Sequence, residues 1–135
     1  MQDRPTYDEL LAAVERFLDD EIVPNSEGAR RFHGRVAANV IRTVRRELER
    51  EEEQLANEWA GLDELLGPAE RPDSRSALRD AVAARTEELC ERVRAGEADG
   101  EPFRAATLAH VRRTVRDKLL VTNPGWVGAD ERSRP

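Results

Sequence analysis

Residues 28–50 read GARRFHGRVAANVIRTVRRELER, and the spacing of apolar residues in this stretch decides the fold class. At 100° per residue, Phe32, Val36, Val40, Ile41, Val44 and Leu48 fall on one broad arc. Arg31, Arg35, Arg42, Arg45, Arg46 and Glu49 fall on the opposite side. A stripe of that period marks an amphipathic helix; a strand would alternate its faces at every residue. No Pro interrupts the stretch, and Glu51, Glu52 and Glu53 continue it without a breaker. Leu55, Trp59, Leu62, Leu65 and Leu66 keep helical spacing until Gly67-Pro68 stops them. A helix is expected over about 28–60, its continuity through residue 60 left open.

The flanking segments repeat the pattern. Thr6 and Glu9 form a T-x-x-E capping box ahead of Tyr7, Leu10, Leu11, Val14, Phe17 and Leu18, and Pro24-Asn25 ends that helix, expected over about 6–21. Asp73 or Ser74 caps a third helix after Pro72, with Leu78, Val82, Thr86, Leu89 and Val93 as its stripe and Arg92 and Arg94 at its carbonyl end before Gly96. Pro102 opens a fourth, where Leu108, Val111, Val115 and Leu119 define the expected buried face. Thr122-Asn123-Pro124-Gly125 closes it. Each stripe is apolar on one side only, so no helix hides its face alone. The expected fold is all-α: a single domain, residues 1–135, built as an antiparallel bundle of four main helices (about 6–21, 28–60, 74–95 and 102–121) with a tail from about 122.

Composition narrows the function classes. The 135 residues carry 22 Lys+Arg against 28 Asp+Glu, and the formal net charge of −6 opposes general nucleic-acid binding, which draws on phosphate neutralisation. Only one of the basic residues is Lys, the pattern of a GC-rich coding sequence. The single Cys makes neither an internal disulfide nor a thiolate zinc site. The longest stretch free of Asp, Glu, Lys and Arg, residues 119–129, falls far short of the roughly 20 needed to cross a bilayer. No signal peptide is expected from the acidic N-terminal stretch, so a cytoplasmic protein is expected, with no membrane partner.

Catalytic signatures are missing: there is no H-E-x-x-H, G-x-S-x-G, Gly-rich phosphate loop or Cys pair, and no cofactor or metal is expected. His33 falls within the apolar arc of the second helix, with Glu47 on the same side. It reads first as a buried histidine that fixes helix register, and second as half of an interior acid–base pair with Glu47. His110 lies opposite the Leu108 stripe beside Thr114 and Asp117, facing either solvent or a second interface. Cys90 reads as a small residue at the core edge. Residues 28–50 hold seven Arg and two Glu. This basic stripe is a solvated face balanced by acidic neighbours such as Asp19 and Asp20, a dock for an acidic protein surface, or a site for a phosphorylated ligand. Trp126 either folds back over the end of the bundle or anchors a partner.

Several segments together resemble a bacterial domain family of unknown function: Arg4-Pro5 with Glu9-Leu10-Leu11, Phe32 to Asn39, Arg46-Glu47-Leu48, and His110-Val111-Arg112 followed by Thr114-Val115, Lys118-Leu119 and Asn123-Pro124. The likeness covers residues 4–126, and Trp126 stands where that family often has an aromatic residue. The resemblance implies a small all-helical protein, often encoded beside aminoglycoside-phosphotransferase-like kinases and acyl-CoA dehydrogenases. It carries no activity. It raises His33, Arg35, Asn39, Glu47, His110 and Asn123, which join Trp126 as candidate binding residues. The function expected is a non-catalytic accessory module that binds a protein partner, a phosphotransferase-like kinase or an acyl-CoA-metabolising enzyme. The alternatives are an enzyme or enzyme subunit with an interior site around His33 and Glu47, and a self-associating structural protein.

Overall fold

A computed structural model describes residues 3–127, and these are all-α: helices and connecting turns, with no strand among them. Four main helices run Tyr7–Phe17 (α1), Gly28–Leu66 (α2), Arg75–Arg94 (α3) and Phe103–Thr122 (α4), close to the expected spans. The capping box forms as read. Thr6 Oγ1 accepts from the Glu9 N–H at 3.2 Å, and the Glu9 carboxylate accepts from the Thr6 N–H at 2.7 Å. Helix α2 is continuous through residue 60 and ends only at Leu66, where Gly67 adopts φ +93° and Pro68 follows. Of the tail expected from about 122, residues 124–127 form a short helical turn instead, and 128–135 lie outside the described residues.

The chain divides into two compact units, Met1–Glu49 and Arg50–Pro135, and α2 contributes its first part to one and its last part to the other. In the N-terminal unit, α1 gives way to a π turn over Leu18–Ile22, in which the Val23 N–H reaches back to the Leu18 carbonyl at 2.9 Å. The turn lays Ile22 and Val23 against Gly34 of α2. A Cβ on Gly34 would come within 3.2 Å of a Val23 methyl and 3.3 Å of an Ile22 methyl. One turn further on, Ala38 is fully buried. Beyond these small residues, charges take over the contact. Arg42 Nε bonds Glu15 at 2.9 Å and its guanidinium also meets Asp19. Arg45 meets Glu15 at 2.6 Å and Asp8 at 2.8 Å. Acidic residues of α1 and the π turn at i, i+7 and i+11 thus clasp arginines of α2 at i and i+3.

The C-terminal unit has a conventional apolar core. Trp59, Leu62 and Leu65 of α2 pack on Leu78, Val82 and Leu89 of α3, with Leu55, Leu66, Ala81 and Phe103 partly buried around them. Each fully buried side chain of this kind contributes about 1.5–3 kcal/mol. Two α3 arginines close the carbonyl end of α2, whose last C=O groups have no partners within the helix. Arg85 donates to the Leu62 carbonyl at 3.2 Å and the Gly67 carbonyl at 2.5 Å, pairs with Asp63, and lies 4.7 Å from the Trp59 ring centroid. Arg92 donates to the Leu65 carbonyl at 3.1 Å and sits 4.9 Å from the Phe103 ring. Glu51, buried beside this core, is neutralised by Arg79 and by Arg75 at 3.8 Å. Cys90 is half-buried and free.

The face of α4 differs from expectation. Leu108, Val111 and Val115 are 45–49% exposed, whereas Thr107, His110 and Val121 are buried. Helix α4 meets α2 through polar atoms: Gln54 Nε2 donates to the Asp117 carbonyl at 2.8 Å, and Lys118 lies 3.7 Å from Glu58. Gly61 makes this possible, because a Cβ there would stand 2.3 Å from His110 Nδ1. Replacing Arg85 with Ala uncaps two carbonyls and leaves Asp63 without its cation. The expected loss is about 1–3 kcal/mol, read as a lowered midpoint in urea at unchanged m-value. A midpoint equal to wild type would refute the capping role.

Candidate functional site

The charged clasp in the N-terminal unit decides what its surface offers. Because Asp8, Glu15 and Asp19 point at Arg42 and Arg45, the apolar stripes of both helices turn outward. Phe32, Val36, Val40, Val44 and Leu48 of α2 are 37–63% exposed, and so are Tyr7, Leu10, Val14 and Phe17 of α1 at 46–62%. The wheel expected the apolar arc of α2 to be buried; the side turned inward instead carries Gly34, Ala38, Ile41, Arg42 and Arg45, while Arg31, Arg35 and Glu49 stay exposed with most of the arc. Each helix thus carries its own exposed apolar stripe, turned away from its neighbour. Nine large side chains in one unit exceed the scattered surface apolars of ordinary monomers.

Four candidate residues lie on the same helix as the α2 stripe. His33, Arg35, Asn39 and Glu47 are all exposed on the first part of α2. The interior pair expected of His33 and Glu47 does not form. Both side chains are outside, and fourteen residues of helix separate them by about 21 Å along the axis. The His33 ring instead sits edge-to-face with Phe32, centroids 5.5 Å apart. Asn123 and Trp126 are exposed in the C-terminal unit. Trp126, at 67% exposure, does not fold back onto its unit; its N–H bonds the Asn123 carbonyl at 3.0 Å in a short terminal turn.

His110 stands apart from the others. It is 4% exposed, and neither its Nδ1 nor the Oγ1 of Thr107 one turn earlier has a hydrogen-bond partner. Burial pushes the His110 imidazole below its ordinary value of 6.5, against an opposing pull from Glu58. The wheel, centred on the α4 leucine and valines, missed this because the contact runs through a glycine of α2. The small residue at 61 was the available signal.

A groove of about 500 Å³ lies over the clasp, lined by Tyr7, Asp8, Glu15, Arg42, Arg45, Arg46 and Glu49. Carboxylates already occupy the donors of Arg42 and Arg45, and hydrogen bonding to Arg45 holds Asp8 below the usual carboxylate range. The groove is therefore a poor receptor for a phosphate or another anion. Of the basic stripe, Arg42 and Arg45 are balanced by Asp8, Glu15 and Asp19 and half-buried, while Arg30, Arg31 and Arg35 are exposed. Among the described residues no group of three or more His, Cys, Asp or Glu is placed to hold a metal ion, and no helix is long and apolar enough to cross a membrane.

Comparison with known proteins places a single family on the chain. The model of a domain of unknown function, DUF6285, matches residues 24–126. No curated protein and no solved structure matches.

The buried imidazole makes stability pH-dependent in a defined window. The unfolded chain protonates His110 near 6.5, while the folded chain resists until a lower pH, so stability is lost as pH falls below about 6.5 toward the depressed folded value. A His110→Gln variant is expected to flatten the urea midpoint between pH 7 and pH 5.5; an unchanged slope would place the dependence elsewhere. Gly61→Ala is expected to cost about 1–3 kcal/mol by overpacking, even though Ala favours helix by about 1 kcal/mol. Combining it with His110→Ala should recover part of that loss, and strict additivity would show that the two sites do not touch.

Proposed function

The chain belongs to the DUF6285 family of unknown function, and from that premise we propose that it is a non-catalytic helical module that binds a protein partner through the apolar face of its N-terminal unit. The observation that carries this reading is the outward set of Tyr7, Leu10, Val14, Phe17, Phe32, Val36, Val40, Val44 and Leu48. Water gains about 25 cal/mol for each Å² of such surface removed from it, so a complementary apolar surface docks here at a profit no polar ligand matches. His33 and Glu47 stand beside Val40 on the α2 stripe and supply directional contacts that set register. A reaction site in this unit finds no support: its ionisable groups either pair within the clasp or stand in water. The resemblance described above supplies the partner class, a phosphotransferase-like kinase or an acyl-CoA-metabolising enzyme. The exposed Trp126 offers the C-terminal unit a separate anchor.

Val40→Glu tests the reading. At a 52% exposed position the charge is expected to change stability by less than about 0.5 kcal/mol, and to reduce co-purification with the co-expressed kinase or acyl-CoA enzyme roughly tenfold. Loss of folding would identify the face as interior core, and undiminished co-purification would remove it as the docking site; either result sinks the proposal.

A further inference from the structure

We infer that α4 is a releasable helix and His110 its trigger: protonation of the buried imidazole frees α4 from α2 while α2 and α3 stay packed. No residue of the N-terminal docking face takes part.

Helix α4 is held more weakly than its neighbours. The dry core joins Trp59, Leu62 and Leu65 of α2 to Leu78, Val82 and Leu89 of α3, and among the described residues of α4 only Phe103, partly buried, packs against it. Beyond Phe103, the buried side chains of α4 are Thr107, His110 and Val121, with Leu119 and Leu120 half-covered. A single large apolar residue is therefore fully hidden. The bond from Gln54 Nε2 to the Asp117 carbonyl and the Lys118–Glu58 pair at 3.7 Å are polar ties that water readily replaces. Leu108, Val111 and Val115 face outward already and do not resist detachment. A segment with so few buried apolar contacts opens at a lower free energy than the core beside it.

The trigger lies in the contact with Gly61. His110 is 4% exposed, and a Cβ on Gly61 would stand 2.3 Å from its Nδ1, so the ring edge presses on the backbone of α2. That nitrogen has no hydrogen-bond partner, and neither has Thr107 Oγ1 one turn earlier. A neutral imidazole tolerates the arrangement, because one of its ring nitrogens offers only a lone pair. An imidazolium carries a proton on both nitrogens. The proton on Nδ1 would point at a glycine backbone that offers no acceptor and stands too near for a water to intervene. Moving α4 outward is the direct relief.

The surrounding charges do not remove this conflict. Burial dominates and holds His110 below its ordinary 6.5; Glu58 and Glu64 of α2 pull the other way, and Arg113 and Lys118 of α4 reinforce the lowering. An opened α4 returns the ring to water, where it protonates near 6.5. The open form binds the proton more tightly, so acid favours opening from about 6.5 down to the depressed value of the closed form. Phe103 remains at the core edge, 4.9 Å from the Arg92 guanidinium, and α4 swings from that end.

Amide hydrogen exchange on the full chain tests this, compared at pH 7.5 and pH 5.5 after correction for intrinsic rates. Amides of residues 107–121 are expected to lose up to about tenfold in protection at the lower pH, while those of α3 keep theirs. His110→Gln should abolish that pH dependence. Thr107→Val deletes an unpaired hydroxyl without changing side-chain shape. It is expected to raise α4 protection severalfold at pH 7.5 and to leave the pH dependence in place. Equal loss of protection in α3 and α4 would mean that the unit opens as a whole and overturns the inference. So would α4 protection that is flat across this range, a His110→Gln variant that keeps the dependence, or a Thr107→Val variant whose α4 exchanges faster.

Discussion

One carboxylate organises the N-terminal unit. Glu15, whose side chain is only 17% exposed, accepts from both Arg42 and Arg45, while Asp19 and Asp8 take their remaining donors. An ion pair in the open is worth little, but a clasp of five charges held by two helices is a network whose members are positioned together. Its larger consequence is geometric. These five charged side chains, placed between the two helices, leave no room there for the apolar stripes. Gly34 and Ala38 then let the helices close at the other end, against Ile22 and Val23. The charge pairing and the small residues agree on one orientation, and that orientation leaves the apolar side outward.

The C-terminal unit is held by a different balance. Trp59, Leu62 and Leu65 meet Leu78, Val82 and Leu89 in an ordinary dry core, and arginines serve at its edge as caps for helix carbonyls. The abundance of Arg therefore has structural uses that differ between units: clasping carboxylates in one, closing a helix end in the other. Helix α4 adds a seam of hydroxyl, imidazole and amide groups. Two of its buried polar atoms go unpaired, a local cost that the rest of the unit must offset.

How much of this was legible follows from what helix periodicity records. Boundaries were readable because caps and breakers act locally: Thr6 with Glu9, Ser74 with the Ala77 N–H, Gly67 with Pro68. Amphipathicity was readable as well, since a wheel separates two sides whatever lies beyond them. Which side is buried was not, because that depends on what the neighbouring helix presents. For α2 the neighbour presents Asp8, Glu15 and Asp19, and for α4 it presents Gly61. Both inversions had sequence correlates: acids one and two helical repeats apart on α1, and a lone glycine in a long helix. Of the candidate residues, His33, Arg35, Asn39 and Glu47 are exposed around the first part of α2, and His110 is interior.

The π turn at Leu18–Ile22 gives chain length itself a structural meaning. It accommodates one residue more than an α-helical path of the same rise. With Ile22 and Val23 seated on Gly34, loss of one residue between 18 and 22 would let the turn close as ordinary α-helix, α1 keeping its facing and Glu15 its two arginines. A second loss would find no such slack and would swing α1 by about 100° about its own axis. The turn thus stores a single spare residue, and lineages should be found with it and without it.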